Sequence, residues 1–188
     1  PAEGSVSAFV TIMQGCDNYC AFCVVPYLRG REESRGFEDI LAEVNALAAR
    51  GVKEVTLLGQ NVNAYGKSFG GKHSFAQLLR AIGAVPGIGR IRFTTSHPKD
   101  LSDDIIACFR EMKNLCESIH LPVQSGSDEI LARMNRRYTS ADYLDRVRRL
   151  REASPEIAIT SDIIVGFPGE TEQDYQKTLD LMEKVRFD

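Results

Sequence analysis

Short β-branched and apolar runs recur at residues 7–13, 54–58, 90–95, 118–121 and 158–165. Runs of this length and composition, bounded by polar and turn-forming residues, predict buried strands. Between them the apolar positions change to helical spacing. Ile40, Leu41, Val44 and Leu47 recur in this way before Gly51, a stop signal at a helix C-terminus. Phe75, Leu78, Leu79 and Ile82 predict a second, shorter helix, and Pro98 precedes a third in which Leu101, Ile105 and Phe109 share a face. Ile130, Leu131 and Met134 predict a short fourth element. Thr139 and Asp142 read as a cap ahead of Tyr143, Leu144, Val147 and Leu150, and Thr171 and Asp174 repeat that arrangement ahead of Tyr175, Leu179 and Met182.

Strand and helix therefore alternate, which favours a parallel sheet joined by right-handed crossovers. A closed eight-unit barrel takes about 250 residues. With 188 residues and five predicted strands, the expected fold is α/β: an open, partial (β/α) TIM-type barrel with outer helices. Such folds carry their chemistry on loops at the carboxyl ends of the strands. Each unusual polar segment of this chain follows a strand.

The 43% hydrophobic content is enough for one domain with its own core. No apolar run approaches the roughly 18 residues of a membrane helix, and residues 1–8 lack the build of a signal peptide, so the expectation is a soluble cytoplasmic protein with no membrane partner. A net charge of -3 gives no general attraction to nucleic acid, so such a partner must be held by local basic patches or by other domains. The chain starts at Pro1 and stops at Asp188 within a regular pattern, which suggests a piece of a longer protein.

Five cysteines, three of them within eight residues, read poorly as a disulfide framework and better as a metal or redox site. Cys108 and Cys116 are expected to be ordinary buried thiols. Cys16, Cys20 and Cys23 stand at C-x3-C-x2-C spacing directly after the first strand, so one loop can wrap one metal centre. Thiolates suit zinc or iron-sulfur clusters, and a purely structural site wants four ligands. Three cysteines on a cubane leave one iron open to a reactant. The alternative is a non-catalytic zinc module with a fourth ligand from Cys108, Cys116, His97 or His120.

With Phe22 as its aromatic, the motif C-x3-C-x-aromatic-C resembles the signature of the radical S-adenosylmethionine superfamily. The resemblance implies a 4Fe-4S cluster on Cys16, Cys20 and Cys23, with S-adenosylmethionine chelated to the open iron and cleaved to a 5'-deoxyadenosyl radical. Further stretches narrow the match: residues 23–32, 58–66, 94–98, 120–127, 134–139 and 162–171 resemble the MiaB-like tRNA methylthiotransferases nearly end to end. For the full-length protein this implies transfer of a methylthio group to C2 of an N6-isopentenyladenosine beside the tRNA anticodon. It also implies an electron donor such as flavodoxin or ferredoxin. A second 4Fe-4S cluster on an N-terminal domain, a C-terminal RNA-binding domain and a sixth core strand would lie outside residues 1–188, leaving the fragment incomplete for full turnover. Relatives that methylthiolate a ribosomal-protein aspartate share the triad and are the alternative within the superfamily.

The strand-end loops supply the remaining candidates for S-adenosylmethionine. Gln60 and Asn61 follow the second strand, where the resemblance places acceptors for the methionyl amine; a plain turn at Gly59 and Asn61 is the alternative. Gln124 and Ser125 follow the fourth strand, where ribose hydroxyls are expected. Gly166 and Phe167 follow the fifth, where a glycine lets backbone approach the adenine. Arg136 is a candidate for the methionyl carboxylate through its planar fork, against the alternative of a solvated helix-end arginine. Arg29, Arg31 and Arg35 are candidates for RNA phosphates, set against Glu32 and Glu33. Arg146, Arg148, Arg149 and Arg151 read as a mostly solvated helix face, and His97 as a structural histidine, against the alternative of a substrate contact or proton carrier.

Overall fold

The computed structural model describes residues 4–70 and 72–188. Among the described residues the parallel strands form a three-stranded and a two-stranded sheet, each taken in chain order. β1 (Ser7–Thr11) pairs with β4 (Glu54–Leu58), and β4 with β5 (Arg90–Phe93), in the register Ser7 to Glu54 to Arg90. Two short strands, β2 (Met13–Gln14) and β3 (Glu33–Ser34), intervene as an antiparallel pair. β5 passes the ladder on through Leu115: the Ile91 N–H donates to Asn114 O at 2.7 Å and the Cys116 N–H to Ile91 O at 2.9 Å. β6 (Ser118–His120) then pairs with β7 (Ala158–Thr160), Ile119 opposite Ile159. At the far side the Asp188 N–H donates to Ile159 O at 3.1 Å.

Helices fill the crossovers. α1 (Val25–Arg29) is a short turn after the cysteines, and α2 (Phe37–Ala49) links β1 to β4. α3 (Phe75–Gly83) and α4 (Asp103–Glu111) lead into β5 and β6, α5 (Asp128–Arg133) and α6 (Ser140–Ala153) into β7, and α7 (Glu172–Val185) follows. This is the open (β/α) arrangement that the alternating pattern predicts. Among the described residues no helix is long and apolar enough to cross a membrane.

The helices start where the chain satisfies their free N–H groups. Thr139 and Thr171 form the two predicted caps with Asp142 and Asp174, and Ser74 forms a third with Gln77. Each cap is worth about 1 kcal/mol. The helical faces and one face of the sheet share a core: Val10, Leu57, Ile91 and Ile159 pack with Ile40, Val44, Leu79, Ile82, Tyr143 and Val147. Phe75, Phe93 and Phe109 run edge to face through it, with centroids 5.1 and 5.9 Å apart. On the opposite face Thr56, the register partner of Phe9, is buried. Phe9, between buried Ala8 and Val10, is 74% exposed.

Three predicted strands end early, each for a visible reason. The first breaks after Thr11, because Met13 and Gln14 leave β4 to pair with Ser34 and Glu33. The third stops at Phe93, since Thr95 adopts a φ of 65°, a conformation that takes a β-branched residue out of a ladder. The last stops at Thr160, beyond which a single bridge joins Ile163 to Gln124.

Candidate metal centre

The cysteine loop begins with a turn that only glycine makes easily. Gly15 has a φ of 73°, and a Cβ there would lie 2.0 Å from Arg31 O. Its N–H donates to Gln60 Oε1 at 2.7 Å, and the Cys16 N–H to Gly30 O at 3.2 Å. A further turn, Cys23 N–H to Cys20 O at 2.9 Å, brings the third cysteine round before α1. Cys16 and Cys20 are buried, and Cys23 is partly exposed. Burial pushes the Cys16 thiol up, a hydrogen bond at the Asn18 backbone draws it down, and the charges of Cys20, Glu32 and Cys23 push it up again.

Among the described residues no three His, Cys, Asp or Glu side chains meet at one point to hold a single metal ion. A zinc ion needs its ligands gathered at about 2.0 to 2.3 Å, whereas a multi-iron cluster keeps its thiolates a cluster's width apart. The three soft donors of this loop are of the kind that either group takes.

A segment more than a hundred residues away clasps the loop. The Ala21 N–H donates to Met134 O at 3.0 Å, and Asn135 Nδ2 donates to Asn18 O and Tyr19 O at 3.2 and 2.9 Å. Asn135 holds a φ of 59°, which asparagine tolerates better than most residues. Asn135→Ala should therefore cost about 2 kcal/mol from lost hydrogen bonds and backbone strain. The measurement is a thermal melt of the metal-free chain, where an unchanged midpoint would refute the clasp.

Arg136 differs from both readings of its sequence position. It is 4% exposed, so it is no solvated helix-end residue, and its fork is already engaged. Nη2 donates to Pro122 O at 2.6 Å, Nε to the Tyr138 hydroxyl at 2.9 Å and Nη1 to Cys20 Sγ at 3.4 Å. A methionyl carboxylate would have to displace these partners. His97 also reaches the triad, its Nε2 lying 3.9 Å from Cys20 Sγ. Burial, followed by the Arg136 charge, pushes the His97 pKa down and keeps the ring neutral.

The other candidates divide. Gln60 shapes the loop through Gly15. Asn61 donates from Nδ2 to Asp100 at 2.7 Å, while its buried Oδ1 has no protein partner; such an orphaned acceptor fits a ligand amine. Gln124 sits at a φ of 74°, held by backbone bonds to Asp162 and Ile164. Ser125 departs from expectation. It is fully buried, its hydroxyl faces Thr178 and accepts from the Ser127 N–H, so it braces α7 and is closed to a ribose.

Gly166 has a φ of 76° with open space where a Cβ would stand, and the Glu170 carboxylate accepts from the N–H groups of Gly166 and Phe167. Phe22 is half exposed. A cleft of about 830 Å³ beside the loop is lined by Arg29, Arg31, Lys67, Lys99 and Arg137 against Asp17, Glu32 and Glu33. Burial there raises the Glu32 carboxyl to about 7, although Lys67 opposes the shift. Arg35 lies outside the cleft lining, bonded to Thr11 O and Glu43. Of the four arginines of α6 only Arg148 is exposed, paired with Asp145 and Glu152; Arg146, Arg149 and Arg151 are partly buried, Arg149 reaching Asp103 of α4 and Arg151 donating to Val185 O. Cys108 is buried against Ala76 O as expected, whereas Cys116 is partly exposed.

Sequence reasoning missed Asn135, Tyr138 and Asp100, and undervalued His97. Proximity to the resembling stretches at residues 94–98 and 134–139 was the only signal for them.

A cysteine loop at the carboxyl ends of strands in an open (β/α) barrel defines a class. The family model of the Radical SAM superfamily matches residues 10–182, and the chain belongs to that superfamily. Its curated relatives are more particular. It is 60% identical over its whole length to a tRNA-2-methylthio-N(6)-dimethylallyladenosine synthase of Syntrophus aciditrophicus, and 63% identical over 98% of its length to one of Geobacter sulfurreducens. The chain spans 41% and 42% of those proteins. Among solved structures, the radical S-adenosylmethionine methyltransferase TsrM from Kitasatospora setae, with cobalamin and a 4Fe-4S cluster bound, superposes with a TM-score of 0.76 at 20% identity. That match covers 96% of this chain and 35% of TsrM. The cobalamin-dependent S-adenosylmethionine radical enzyme OxsB gives 0.73 at 15% identity, covering 93% of this chain and 26% of OxsB. These two likenesses speak for the fold.

Proposed function

We propose that the chain is the radical core of a tRNA methylthiotransferase, in which Cys16, Cys20 and Cys23 ligate a 4Fe-4S cluster and leave one iron for S-adenosylmethionine. The observation that carries this reading is the single loop after β1 that presents Cys16, Cys20 and Cys23 and is clasped by Asn135 and Arg136. When bound, the cluster supplies one electron that breaks a carbon–sulfur bond of S-adenosylmethionine, giving methionine and a 5'-deoxyadenosyl radical.

The chain's own residues orient that ligand. Asn61 Oδ1 accepts a hydrogen bond from the methionyl amine. Gly166 leaves the backbone open to the adenine, with Phe167 and Phe22 as apolar walls, and Gln124 offers a side-chain amide to the ribose. Exclusion of water by these loops protects the radical.

The relatives' names extend the reading to substrate. The acceptor is C2 of an N6-isopentenyladenosine in tRNA, the electron comes from a flavodoxin- or ferredoxin-like donor, and the setting is the cytoplasm. Arg29, Arg31 and Arg137 of the charged cleft hold RNA phosphates. Neither the ribosomal-protein substrate nor the zinc module is favoured, since the family model is that of the Radical SAM superfamily and the relatives named above are tRNA enzymes.

In the whole protein, a second-cluster domain and an RNA-binding domain complete the reaction. The test is anaerobic reconstitution with iron and sulfide, then dithionite and S-adenosylmethionine. Formation of 5'-deoxyadenosine is expected, and its absence from a cluster-loaded protein would overturn the reading. Methylthiolated tRNA made by these 188 residues alone would overturn the need for further domains.

A further inference from the structure

A buried cation needs a buried anion. Arg136 is 4% exposed, yet among the described residues no carboxylate forms an ion pair with it. An unpaired interior charge is costly, and the side-chain acceptor that Nη1 reaches is the Cys20 sulfur, 3.4 Å away. The geometry is fixed before any ligand arrives. Pro122 O takes Nη2 and the Tyr138 hydroxyl takes Nε. The guanidinium carbon also lies 5.3 Å from the centre of the Tyr138 ring. The Tyr138 hydroxyl is itself anchored, donating to Val123 O at 2.8 Å.

His97 adds a second donor by a tautomer argument. Its Nδ1 accepts from the Lys99 N–H at 3.3 Å, so in the neutral ring the proton sits on Nε2, which faces Cys20 Sγ at 3.9 Å. The ring is held edge to face against Tyr138, with centroids 5.7 Å apart. Two N–H groups, one of them cationic, thus converge on one sulfur of the three.

Resting on the cluster assignment above, we propose that Arg136 is a positioning residue which, with His97 as a weaker second donor, holds the Cys20 thiolate and raises the reduction potential of the cluster. Reduction adds one electron and no bond forms or breaks: dithionite gives up the electron, and the cluster passes from the 2+ to the 1+ state. The added negative charge is shared with the thiolates. A fixed cation and N–H donors therefore stabilise the reduced state more than the oxidised one.

The test is a redox titration of the intact reconstituted protein followed by electron paramagnetic resonance. The relevant signal is the one that changes when S-adenosylmethionine is added. Arg136→Gln should disfavour reduction at least tenfold, a shift of about 59 mV to more negative potential for a one-electron couple. Arg136→Lys should shift less, because it keeps the charge and loses the fork, and His97→Phe should shift in the same direction by a smaller amount. An Arg136→Gln midpoint equal to that of the parent overturns the proposal. Should Arg136→Gln fail to retain a cluster, the other two variants decide: a lowered potential in either supports the assignment, and unshifted potentials in both overturn it. A parent protein that assembles no cluster on the three cysteines overturns the functional reading instead.

Discussion

A Cys20→Ser chain is expected to keep its fold and to lose its chemistry. Serine preserves a small side chain and a hydrogen-bond acceptor for Arg136 Nη1 at a site that is 8% exposed, so thermal stability should fall by no more than about 1 kcal/mol. The hydroxyl is a poor substitute for a soft thiolate on iron. Outer partners of a metal site are worth roughly 10- to 100-fold, so loss of a ligand should exceed 100-fold. After anaerobic reconstitution, iron and sulfide content and 5'-deoxyadenosine production give the measurement. Near-parental nucleoside formation with the serine in place would remove Cys20 from the ligand set.

Gly15→Ala should be strongly damaging although it touches no functional group. Its φ of 73° already costs a side-chain-bearing residue about 1 to 2 kcal/mol. The added carbon would also lie 2.0 Å from Arg31 O and 2.7 Å from Gly30 O, both backbone atoms. Neither can withdraw cheaply, because the Cys16 N–H bonds to Gly30 O and β3 follows two residues after Arg31. A total loss of about 3 kcal/mol, or a melting temperature lower by roughly 6 to 12 °C, is expected. Gly51→Ala is the control: it shares a positive φ, with open space around its Cβ position, and should lose only the backbone part. Equal melting temperatures for Gly15→Ala and Gly51→Ala would refute the steric account.

What could be read from the sequence was local. The period of the apolar positions gives strands and helices directly, as at Val55 and Leu57 or Ile40, Val44 and Leu47. Thr139 and Thr171 announce their helices because a cap is completed within four residues. The triad is legible for the same reason: three ligands of one loop must lie close in sequence. Its surroundings were illegible, since the partners of Cys20 are His97 and Arg136, brought there by the loop after β5 and the segment after α5. Periodicity also fails where a residue leaves its ladder, so nothing local predicted that Ser125 would turn under α7 or that Met13 would change partners.

The clasp also bears on the order of assembly in the cell. Asn135 and Asn18 stand 117 positions apart, so the cysteines leave the ribosome long before the groups that hold their loop. Until α5 has been translated and docked, the nascent thiols are unguarded against oxidants and stray metals. Iron delivery should therefore wait on translation of the distal half, and a chain stalled before Met134 should emerge without the means to retain it.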